Sequence, residues 1–113
     1  MPGNDLFLYK NQPVRPEMLS VGATDDERRV TTEHFEYLEG LTRAGTVLLA
    51  GRTLNTDPSS FGIVLLRAES EEAAREIMLN DPAVRQRVMR AEFFPYRIAL
   101  LGDLRGPDVG ASG

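Results

Sequence analysis

Gly45-Thr46-Val47-Leu48-Leu49-Ala50-Gly51-Arg52-Thr53 decides the fold. Gly45 stops whatever helix precedes it, because glycine tolerates the left-handed conformation at a helix C-terminus. The apolar run after that stop is too short for a helix and reads as a strand through Thr53. Asn55-Thr56-Asp57-Pro58-Ser59-Ser60 is a turn cluster, and Phe61 to Arg67 is a second apolar run. The two runs therefore make a hairpin at the centre of the chain.

Upstream of the hairpin, Thr24-Asp25-Asp26-Glu27 has the form of a capping box, with acidic side chains at the positive end of a helix. From there Val30, His34, Leu38 and Leu41 recur at helical spacing, with Phe35, Tyr37 and Ala44 widening the stripe. Downstream, Ser70 caps a second helix, Glu71 and Glu72 occupy its first turn, and Ala73, Ala74, Ile77 and Met78 form its apolar face. Pro82 disfavours helix at Asp81, so this helix ends near Asn80, and Pro82 to Arg87 is read as one further helical turn.

At the outside, Leu6-Phe7-Leu8-Tyr9 is a first strand. Pro13 and Pro16 then break regular structure, and Glu17 to Ser20 is a short helical turn. The last strand is expected from Val88 or Met89 to Leu101. Pro95 interrupts it, which points to a sheet edge or a bulge. The order β-α-β-β-α-β predicts an α+β fold, a ferredoxin-like sandwich with an antiparallel sheet and both helices on one face. Residues 5–101 form the expected domain, and 102–113, with four Gly and one Pro, a flexible tail. The helices cover only one sheet face. The other carries large apolar residues, so two sheets are expected to pack together in a homodimer.

Composition narrows the functions. The chain has 113 residues, no Cys and one His, which removes thiolate nucleophiles and Cys-ligated metals together. Thirteen basic residues are scattered among seventeen acidic ones, so there is no positive stripe for nucleic acid. No apolar run is long enough to span a membrane, and the start has no secretory character, so a cytoplasmic protein is expected. No metal-ligand spacing and no glycine-rich nucleotide loop is present, and neither a metal nor a cofactor is expected.

Five residues stand out as candidates for chemistry. His34 lies on the buried stripe of the first long helix, where burial or a carboxylate tunes an imidazole for proton transfer; a core-edge His bonded to a carbonyl is the structural alternative. Asp81, before Pro82, suits either a carboxylate that orients His34 or an N-cap, and one carboxylate has acceptor sites for both. Arg52 follows Ala50-Gly51 at a strand end, where it can hold an anionic oxygen or serve as a surface cation. Tyr96 and Tyr37 are candidate donors that equally suit packing. Glu33 and Glu36 point off the His34 face and read as solvated charge.

Glu33-His34-Phe35-Glu36-Tyr37-Leu38, Gly45 to Gly51, Ser70-Glu71-Glu72-Ala73, Asn80-Asp81-Pro82 and Phe94-Pro95-Tyr96 together resemble the YciI-like (YCII-related) family. The resemblance runs from Leu6 to Leu100 and implies a dimeric α/β-barrel of ferredoxin-like halves. It also implies that His34 and Asp81 form a dyad in a cleft. One branch of that family removes chloride from a chlorinated hydroxyhydroquinone. The expectation is a cofactor-independent enzyme of lyase or hydrolase type acting on a small molecule, with catalytic His34 and Asp81 and substrate-binding Arg52 and Tyr96. The alternatives are a non-catalytic dimeric module for a small metabolite or a protein partner, and a heme-free oxygenase on the same fold.

Overall fold

In chain order the elements are β1 (Asp5–Pro13), α1 (Glu17–Ser20), α2 (Asp25–Arg43), β2 (Val47–Arg52), β3 (Gly62–Ala68), α3 (Glu71–Asn80), α4 (Pro82–Arg85) and β4 (Met89–Tyr96). They are seen in a computed structural model that describes residues 5–105. All strand pairs are antiparallel, in the order β2-β3-β1-β4. This is the α+β, ferredoxin-like arrangement, with β1 and β3 central.

Helix α2 begins at the capping box. The Thr24 hydroxyl accepts the Glu27 N–H, and the Glu27 carboxylate accepts the Thr24 N–H. Arg15 donates to both oxygens of that carboxylate, at 2.7 and 2.9 Å, and to the Gly22 carbonyl. One glutamate thus ties the β1–α2 connection to the start of the helix. Gly45 ends the helical stretch at φ +82, a conformation costly for any residue with a Cβ. Ser70 caps α3 by accepting the Ala73 N–H.

Strand β1 is longer than the apolar run predicted. Pro13 does not stop it, because of where the missing N–H falls. Backbone direction alternates along β1, and Val14 donates towards β4, to the Val88 carbonyl. The N–H that Pro13 lacks therefore faces β3, whose pairing with β1 ends at Asn11–Gly62. Pro95 obeys the same logic on edge strand β4, where its missing N–H faces away from the sheet. Strand β4 is shorter than expected. It leaves the ladder after the Leu6–Tyr96 pair instead of running to Leu101. Residues 97–105 continue without helix or strand, and the rest of the expected tail, 106–113, lies outside the described residues.

Phe7, Tyr9, Leu38, Val47, Val64, Leu66, Ala74 and Met78 form the core between the sheet and the helices. Complete burial of a side chain such as Val64 or Leu66 stabilises the fold by about 1.5–3 kcal/mol. A smaller cluster of Met18, Val30, Ala83 and Val88 fixes α1 and α4 against α2. Two residues assigned to the α2 stripe are not in the core. Phe35 is 64% exposed, and Ala44, the residue after α2, is exposed. No described helix is long and apolar enough to cross a membrane.

The bonds from Arg15, followed by those from Thr24, hold the Glu27 carboxyl near pKa 2 instead of the usual 4.5. A carboxyl depressed on folding contributes stability that is complete above the unfolded value and is lost as pH falls through the folded one. Stability should therefore decline between about pH 4.5 and pH 2, and Glu27→Gln should flatten that part of the acid-denaturation profile. An acid limb of unchanged steepness in the variant would contradict this assignment.

Candidate functional site

Asp81 sits where α3 ends and α4 begins. Pro at the first position of α4 has the backbone angle a helix start needs and no N–H to satisfy. Asp81 then caps α4, accepting the Ala83 N–H on Oδ1 at 3.0 Å. The capping and His-binding readings of Asp81 are compatible, because the same carboxylate also meets α2. His34 Nδ1 lies 2.7 Å from Oδ1 and 2.9 Å from Oδ2, and Asp81 has no exposed surface.

A third partner is one that sequence reasoning treats only as a strand residue. Tyr9, on the helix-facing side of β1, donates its hydroxyl to Asp81 Oδ2 at 2.7 Å. Burial, reinforced by the charge of Asp81, pushes the Tyr9 phenol well above its ordinary value, so it remains a donor across the physiological range. With Tyr9 O–H and Ala83 N–H both donating, the carboxylate has acceptor capacity left for His34, and Nδ1–H is the donor that completes it. The neutral ring is then the Nδ1–H tautomer, with the Nε2 lone pair free.

His34, whose side chain is 17% exposed, lines a cleft of about 570 Å³ between α2 and the β2–β3–β1 side of the sheet. That is the size range of small-molecule sites. Asp81 lies behind the imidazole and does not line the cleft. The walls are largely apolar, from Leu19, Phe35, Leu38 and Val64 among others. The exposure of Phe35 is explained here: it flanks the cleft instead of packing in the core. Arg52 also lines the cleft, and its guanidinium makes no hydrogen bond or ion pair to any described residue.

Tyr96 is elsewhere. It pairs with Leu6 at the far end of β4, on the sheet face opposite Tyr9, and does not line this cleft. That alternation places it apart from His34, Asp81 and Arg52. Tyr37 also lies outside the cleft. Its hydroxyl donates to the Ile77 carbonyl at 2.7 Å, joining α2 to α3, and burial followed by the charge of Asp81 pushes its phenol up to about 12. Glu33 is more than a solvated charge: it accepts from Gln86 at 2.8 Å and from Arg29, linking α2 to the end of α4. Among the described residues no group of three or more His, Asp or Glu is placed to hold a metal ion.

Residues 8–96 match the YCII-related domain. This chain belongs to that family. One relative, the derivative of benzaldehyde biosynthesis cluster protein C from Emericella nidulans, is 36% identical over 70 residues. That alignment covers 53% of this chain and 71% of the fungal protein. Among solved structures, the 5-chloro-2-hydroxyhydroquinone dehydrochlorinase of Burkholderia phenoliruptrix, in complex with 2,5-dihydroxybenzoquinone, superposes with a TM-score of 0.61 at 22% identity. The match covers 81% of this chain and 93% of that one. An uncharacterized protein of Thermotoga maritima superposes at 0.54 with 8% identity, over 83% of this chain and 99% of its own. Both share the fold of this YCII-related domain.

Removing the Tyr9 hydroxyl strips one donor from a carboxylate that is fully buried. Tyr9→Phe should lower stability by about 1–3 kcal/mol, read as a reduced urea midpoint. An unchanged midpoint would show that the phenol is not needed to hold Asp81.

Proposed function

We propose that this YCII-related domain is a cofactor-independent acid–base enzyme of lyase or hydrolase type, acting on a small ring compound bound in the cleft. One observation carries the reading: Asp81 takes the Nδ1 side of His34 at 2.7 Å while the same imidazole lines the cleft. Such an arrangement lets Nε2 accept a proton from substrate and return it, with Asp81 stabilising the imidazolium in between. In an elimination, the C–H bond breaks towards Nε2 and its electron pair passes onto an adjacent carbonyl oxygen as an enolate. The pair then returns to form the new double bond as the leaving group departs with its own pair. Arg52 stabilises the negative charge that develops on an enolate-like oxygen. The likeness to a dehydrochlorinase supports the fold that such chemistry uses, and the apolar walls favour a ring over a flexible polar chain.

The chain acts as a homodimer in the cytoplasm on this proposal. The sheet face away from the helices exposes Leu49, Phe94 and Tyr96 around Leu8 and Leu65, an apolar surface the monomer leaves uncovered. Packing two such faces gives the α/β-barrel.

Chloride release from 5-chloro-2-hydroxyhydroquinone, within a broader screen of enolisable ring compounds, tests the chemistry. His34→Ala and Asp81→Asn should each lower kcat/KM by about a hundredfold or more. Turnover undiminished in both variants would eliminate the mechanism, whereas a wild type that binds such rings without turning any over would favour a metabolite-binding module. Light scattering tests the assembly: the wild type should have twice the chain mass and Phe94→Asp the single mass. A monomeric wild type would refute the dimer.

A further inference from the structure

Asn11 shares the helix-facing side of β1 with Tyr9, two residues further along, and it lines the cleft. The residue is only 5% exposed, yet its carboxamide makes no hydrogen bond to any described residue. No fully buried polar side-chain atom among them lacks a partner, so the unpaired amide atoms are those that reach the cleft surface. Placed at the wall of an apolar recess, the amide offers the cleft a donor and an acceptor that an apolar side chain of the same size would not supply.

The neighbouring residues give the amide an evident purpose. Asn11 pairs with Gly62 across the β1–β3 ladder, and Gly62 pairs with Arg52 across β3–β2. The three therefore form one row across the sheet. A Cβ at position 62 would stand 2.7 Å from Asn11 Oδ1 and 3.1 Å from the Gly51 carbonyl oxygen. Glycine is thus what leaves a gap between the amide and the Arg52 position. Ser60, also buried and lining the cleft, adds a hydroxyl next to this row.

We propose that Asn11 is a substrate-positioning residue which, with Arg52, forms a subsite over Gly62 for an anionic or strongly polar oxygen on the ring. This deepens the proposed function and rests on it, since it fixes which part of the substrate lies away from His34. The substrate class is then a ring compound with an acidic oxygen, such as a phenolate or a vinylogous acid. The Asn11 carboxamide donates to that oxygen, and the Arg52 guanidinium neutralises its charge.

The probe is 2,5-dihydroxybenzoquinone. On titration into the wild-type protein, the Asn11 side-chain NH2 resonances should shift and saturate with the binding curve. Calorimetry should show about tenfold weaker binding to Asn11→Ala. Gly62→Ala should weaken binding at least as much. Affinity in Asn11→Ala within twofold of wild type would overturn the proposal. So would an Asn11 amide that does not move at saturation, or a wild-type protein that does not bind the probe at millimolar concentration. The amide readout needs no variant, so it stands if a substitution impairs folding. His34→Ala should keep the Asn11 shift while losing turnover. Retained turnover with a shifted amide would defeat the catalytic reading and leave the subsite, and lost turnover with an unmoved amide would do the reverse.

Discussion

The carboxyl group of Asp81 has no contact with solvent, and removing such a group from water costs several kcal/mol unless donors replace the lost hydration. Three donors do so, each from a different element: Ala83 N–H from α4, Tyr9 O–H from β1 and His34 Nδ1–H from α2. The need to satisfy this one group constrains where the sheet, the long helix and the α3–α4 junction meet. It also orients the imidazole, because the side of the ring that Asp81 occupies decides which nitrogen is left for the cleft. Pro82, buried at the start of α4, and the exposed Glu33–Gln86 bond support the same junction.

Much of this is legible from local rules. The Thr24–Glu27 box, the Gly45 stop, the Ser70 cap and the Asp81-Pro82 step each involve a few adjacent residues, and each occurs where those rules put it. The Arg52 and His34 positions follow from the strand and helix so delimited. What escapes needs long-range geometry. Tyr9 and Asp81 are 72 positions apart, and an aromatic in a strand ordinarily signals packing. Asn11 escapes for a related reason. The apolar run stops at Tyr9, although Phe7, Tyr9, Asn11 and Pro13 alternate as a half-buried strand should. Phe35 shows the converse error. Helical periodicity locates a face but cannot tell a packed core from the wall of a cleft.

The two faces of the sheet have separate duties. Towards the helices lie the core, the buried carboxylate and the cleft. On the other side is an apolar surface with no covering element among the described residues. Tyr96 belongs to that second surface and not to the cleft that His34 lines. The shared fold of a dehydrochlorinase and an uncharacterized bacterial protein does not transfer a substrate. Under the proposed function, substrate choice rests with the cleft's own groups.

A fully enclosed acid group dictates the proton position on the single imidazole. Long-range ¹H–¹⁵N correlation of the His34 ring, at a pH where the ring is neutral, reads that position without intermediaries. The expected spectrum has a protonated Nδ1 and an unprotonated, pyridine-like Nε2. A proton on Nε2, or a fast average of the two tautomers, would refute the role given to Asp81.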